Sequence, residues 1–152
     1  MRNLLVETDR DGILRRLTTI TPDSSRKWGR MTPHQMICHL SDSYLGCMGG
    51  RNIAPATNLF NRTFVKWIAL RTPAPWPKGV PTRPEVDQEV GGTPPAEFAS
   101  DRERLADLVE RFSRRERDFA FVPHPIFGAM SEWEWMRWGY LHADHHFRQF
   151  GA

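Results

Sequence analysis

The chain is poor in cysteine, has no long apolar run, and carries no block of one charge; each lack removes a class of protein. Its two cysteines, Cys38 and Cys47, lie nine residues apart in one predicted helix. That is a rise of about 13 Å, beyond the reach of a disulfide, so free thiols in a reducing compartment are expected. No apolar stretch approaches the roughly 20 residues that span a bilayer. The opening residues Met1 to Asp9 place acids where a secretory signal has its apolar core. A cytoplasmic protein with no membrane partner is the expectation. Net charge is +3 with a pI near 9.2, and acids are interspersed with the arginines, so no nucleic-acid partner is expected.

What the chain does contain is a set of well-started amphipathic helices. A length of 152 residues suits one domain, 1–152, burying roughly two-thirds of the surface of the unfolded chain. Leu4, Leu5, Val6, Ile13, Leu14 and Leu17 predict a first helix within residues 2–19, with an irregular middle at Asp11-Gly12. Thr32-Pro33-His34-Gln35 is a capping box with proline at the first helical position, opening a helix that Gly49-Gly50 should end. Asn58 to Arg71 can form another helix. Seven prolines then fall between Thr72 and Ala99, the composition of a long crossover or lid. Ser100 to Glu103 reads as a further capping box, before a stripe of Leu105, Leu108, Val109 and Phe112. The charges from Arg111 to Asp118 read as a solvated face. The last capping box, Ser131 to Glu134, opens a final helix. Four principal helices predict an all-α bundle.

The final helix concentrates the chemistry. It holds half of the six histidines and half of the six tryptophans. His142 and His146, four residues apart, lie one above the other on a helix, and His39 falls on the inner face of another helix with Met36, Leu40 and Ser43. The three can share a divalent ion in the bundle core, or they can simply fill it, each hydrogen-bonded to a neighbour. Further lacks narrow the metal reading. Ala143 follows His142, so the glutamate of His-Glu-x-x-His proteases is missing, and no histidine has a glutamate three positions before it, which removes the carboxylate-bridged di-iron pattern. Three neutral imidazoles leave a bound ion its full charge, able to lower the pKa of a bound water or thiol. Gln35, Asp144 and Gln149 are candidates to orient the rings. His145 is expected at the rim or in solvent, His34 exposed, and His124 in a loop. Trp133, Trp135 and Trp138 cannot all face one way; core packing is expected for most.

Two segments carry a family resemblance. Trp28-Gly29-Arg30-Met31-Thr32-Pro33-His34-Gln35-Met36-Ile37-Cys38-His39-Leu40-Ser41-Asp42 is one, and His124-Pro125-Ile126-Phe127-Gly128-Ala129-Met130-Ser131-Glu132-Trp133-Glu134-Trp135, running on to His142-Ala143-Asp144-His145-His146-Phe147-Arg148-Gln149-Phe150-Gly151, is the other. Together they resemble the DUF1569 family of the DinB-like superfamily of metal-binding four-helix bundles. The resemblance implies a long, Pro-rich crossover between the second and third main helices, and a divalent ion on His39, His142 and His146. It also implies thiol-dependent transferase or isomerase chemistry with a low-molecular-weight thiol, a small-molecule substrate, and a homodimer. Phe147-Arg148-Gln149 stands where many relatives have Arg-Gly-Gln, which leaves the substrate open. The functional expectation is therefore a metal-dependent enzyme, with Zn or Ni activating a thiol or a water. The alternative is a helical dimer that binds a metal or small ligand without turnover.

Overall fold

The computed structural model describes all residues from Met1 to Ala152. Five α-helices form: α1 (Glu7–Thr19), α2 (Pro33–Cys47), α3 (Lys66–Arg71), α4 (Phe98–Ser113) and α5 (Glu132–Gln149). There is no strand, only an isolated bridge between His124 and Gly128. The four long helices close a ring in which α2 packs on α4, α4 on α1, α1 on α5, and α5 back on α2. This is the expected all-α bundle. None of the helices is long and apolar enough to cross a membrane.

Local sequence explains most helix limits. Thr32 caps α2 as expected: its hydroxyl accepts from Gln35 N at 3.1 Å while Gln35 Oε1 accepts from Thr32 N at 2.9 Å. α2 stops at Cys47, and Gly49 follows at φ +79°, a conformation open to glycine at little cost. Ser131 and Glu134 form the same reciprocal cap on α5. Two starts differ from expectation. α1 begins at Glu7 and runs unbroken through Asp11-Gly12, because Ile13 and Leu17 are buried and that packing offsets the cost of about 1 kcal/mol for an interior glycine. α4 begins at Phe98, not after Ser100: the Glu97 carboxylate accepts from Ala99 N and Ser100 N, so the cap comes three residues earlier.

The core is one apolar cluster running from Leu4 to Phe150. α5 lies close to its neighbours at Gly139, where an added Cβ would meet Leu4 at 2.8 Å and Phe112 at 2.9 Å. The Tyr44 hydroxyl donates to the Gly139 carbonyl there at 2.8 Å. Arg137, buried beside it, donates to the carbonyls of Leu70 and Arg2, tying α3 and the N-terminal residues to α5.

The crossover between α2 and α4 is held differently. The predicted helix from Asn58 to Arg71 becomes a π-helical turn (Asn61–Val65) continued by the short α3. Only Leu70 of this stretch is buried, while Leu59, Phe60, Phe64 and Trp67 are each more than half exposed. Farther along, a 3-10 turn (Pro84–Val86) is pinned by Asp42, a fully buried carboxylate of α2. Asp42 accepts from Arg51 at 3.0 Å, Gln88 at 3.1 Å, Thr93 N at 2.7 Å and Thr93 Oγ1 at 2.7 Å. Arg51 donates in turn to the Glu85 carbonyl at 2.7 Å.

Candidate metal centre

His39 on α2 and His142 and His146 on α5 converge in the bundle. Their ring centroids are 4.7 to 5.2 Å apart, and one nitrogen from each lies within 4.8 Å of the others. His39 is buried, and His142 and His146 are half-buried.

Hydrogen bonds to the outer nitrogens set the tautomers. His39 Nδ1 donates to the Val86 carbonyl at 2.8 Å, which leaves its Nε2 as an inward lone pair. His146 Nδ1 donates to Gln149 Oε1 at 3.1 Å, and Gln149 is itself oriented because its Nε2 donates to the Trp28 carbonyl at 2.8 Å. The second inward nitrogen is therefore also a lone pair. His142 Nε2 sits 3.2 Å from His39 Nε2, and His142 Nδ1 is buried without any partner. Among three neutral rings only His142 can present a proton to the centre, and one proton cannot satisfy two acceptors.

Protonation is not the remedy, since burial lowers the pKa of all three, well below the ordinary value for His142 and His146. Each neighbouring histidine would add repulsion. A divalent ion would accept all three lone pairs at once, so the donor set fits one.

The surroundings limit access. Trp76 from the crossover, anchored by its Nε1 donating to the Ala69 carbonyl at 2.9 Å, lies 6.0 Å from the His142 ring and 6.3 Å from His145. Trp28 meets His145 edge-on at 5.9 Å and carries the Lys78 ammonium over its face at 4.4 Å. Trp138 forms the floor, 4.9 Å from His142. The rim thus combines aromatic faces with one cation.

The expected orienting residues divide. Gln149 touches His146. Gln35 spends its carbonyl on the α2 cap, and Asp144 pairs with Arg16 at 2.7 Å. His145 is half-buried at the rim between Trp28 and Trp76. His34, expected exposed, is half-buried and bonded to Asp101 at 2.7 Å. His124 is buried: its Nδ1 accepts from Ile126 N and Phe127 N, each at 3.1 Å, and its ring stacks on Phe127. Burial lowers its pKa to about 3, and the two backbone donors act in the same sense by occupying the protonation site. Trp135 and Trp138 are core residues, while Trp133 lies beneath the Arg71 guanidinium.

Sequence reasoning missed Asp42 and Val86. Asp42 follows His39 by three and is the one Asp, Glu, Lys or Arg of α2, which is a visible signal of a buried anchor. Val86 acts through its backbone carbonyl and leaves no trace in residue type.

Fold and site together define an all-α bundle with a buried three-histidine cluster able to hold a metal ion. The chain belongs to the DUF1569 family of proteins of unknown function, whose profile matches residues 2–152. No curated protein and no solved structure matches it.

Proposed function

We propose that this protein is a DinB-like, metal-dependent enzyme whose His39, His142 and His146 hold Zn or Ni, leaving coordination positions for a low-molecular-weight thiol or a water for attack on a small electrophile. The observation that carries the reading is the pair of fixed inward lone pairs on His39 and His146 in a site that burial keeps from protonating. When bound to three neutral ligands, such an ion lowers the pKa of a thiol or water so that a nucleophile forms near neutral pH. The chain's own residues do the rest. Val86 and Gln149 hold the rings, Trp138 and Trp76 exclude bulk water from two sides, and Lys78 on Trp28 places a positive charge at the rim for an anionic group of the thiol or substrate.

The test is thiol consumption by metal-loaded protein offered small electrophiles, beside ester hydrolysis without thiol. Turnover that disappears in His142→Ala is expected. No turnover by a fully metal-loaded protein, with tight retention of a small ligand, would favour the non-catalytic alternative. That alternative includes a homodimer, and Leu59, Phe60, Phe64 and Trp67, four large apolar side chains of one segment that are each more than half exposed, support self-association. A Phe64→Glu, Trp67→Glu double variant should then sediment as a monomer.

A further inference from the structure

We infer that the chain has a second divalent-metal site, formed by His34 and Cys38 of α2 and Asp101 of α4, separate from the three-histidine cluster. His34 and Cys38 are four residues apart and share a face of α2, while His39 turns toward α5. Cys38 is almost fully buried, at 3% exposure, yet it is not part of the contiguous apolar core that takes in Cys47. Its thiol is aimed instead at Asp101 Oδ2, 3.7 Å away. His34 Nε2 meets the same oxygen at 2.7 Å, and Ala96 N donates to it at 3.0 Å. One sulfur, one imidazole nitrogen and one carboxylate oxygen therefore lie within 4.8 Å of one another. Ligands around a tetrahedral zinc are separated by about 3.3–3.7 Å, given bonds of roughly 2.0–2.3 Å, so small side-chain rotations would admit an ion.

The mixed sulfur, nitrogen and oxygen set suits Zn(II) or Co(II). On binding, the Cys38 S–H bond breaks and its proton leaves to solvent. His34 shifts its proton, by exchange with solvent, from Nε2, where it faces the Asp101 carboxylate, to Nδ1, which frees Nε2 as the ligand, and Asp101 exchanges hydrogen bonds for a metal bond. Thiolate and carboxylate cancel the charge of the ion. This neutral site contrasts with the three-histidine cluster, where the ion keeps both charges, and its role is a clasp: it fastens α2 to the first turn of α4, where the crossover ends. His34 and Asp101 are 22% and 15% exposed at their side chains, which leaves a path for the ion.

The two sites separate spectroscopically, since only this one offers sulfur. Titrating the full-length protein with Co(II) should give a sulfur-to-cobalt charge-transfer band in the near ultraviolet that is complete by about two equivalents, the number of sites. The band should persist in His142→Ala and in Cys47→Ser, vanish in Cys38→Ser, and weaken at least tenfold in affinity in His34→Ala. Absence of the band in folded wild-type protein at two equivalents would overturn the inference. So would a band that survives Cys38→Ser, or one lost with His142→Ala. As a second readout, zinc should raise the thermal midpoint of His142→Ala and leave that of the His142→Ala, Asp101→Asn double variant unchanged; equal shifts in both would contradict the clasp.

Discussion

The helical frame and the crossover reach the same three histidines by different physics. In the frame, α2 and α5 place His39, His142 and His146 because apolar side chains at helical spacing bury one face of each helix, with reciprocal caps fixing where each begins. In the crossover, little apolar surface is buried. Its position rests on Asp42 with Arg51, on Arg30 paired with Asp87 and Glu89, and on a few backbone groups, and through them the Val86 carbonyl arrives on His39 Nδ1. The frame brings the ligands together and, through Gln149, orients His146, whereas the crossover decides which nitrogen His39 presents and sets Trp76 against His142.

Breaking the crossover's anchor should have the largest effect. Asp42→Ala strands the partly buried Arg51 and leaves Thr93 and Gln88 without their acceptor, and a loss of about 3–5 kcal/mol in denaturant unfolding is expected. A loss under about 1 kcal/mol would mean that the crossover is held by something other than this carboxylate. On the frame side, Gly139→Ala forces a methyl against Leu4 and Phe112 and should cost about 1–3 kcal/mol, with metal stoichiometry intact.

Gln149 belongs to the frame, where it reaches from α5 to His146 and to the Trp28 carbonyl of the α1–α2 connection. Gln149→Leu removes the acceptor of His146 Nδ1 and should weaken metal affinity by about 10–100-fold, read by competition with a chelator. An unchanged affinity would show that the ring needs no orienting partner.

The smallest expected effect concerns His124. Its folded pKa is lowered to about 3 from an unfolded value near 6.5, so its full contribution is present above pH 6.5 and declines as pH falls toward 3. Between pH 7 and 5 this one residue accounts for a loss of about 2 kcal/mol, and His124→Gln should flatten that part of the stability curve. A curve of unchanged slope would remove His124 as the cause.

The same contrast explains what could be read from the residues. The bundle and the caps of α2 and α5 follow from spacing, because helical period and capping are local properties; spacing also puts His39, His142 and His146 on inner faces, but their meeting in one cluster is implied only by the family resemblance. The start of α4 at Phe98 was hidden by two competing caps, Glu97 and Ser100, and only the carboxylate's reach to two backbone amides decides between them. The Asn58 to Arg71 stretch has helical periodicity but no partner surface for its apolar face, so it settles into a π-turn and a short helix. His124 and Val86 depend on tight turns whose hydrogen bonds carry no periodic signal.

The central claim is that the three histidines bind one divalent ion together. Metal analysis of wild-type, His39→Ala and His142→Ala protein, each with Cys38→Ser to silence any sulfur ligand, tests it most directly. About one equivalent of Zn or Ni is expected in the parent and substoichiometric metal in both histidine variants. Equal metal in all three proteins would contradict it.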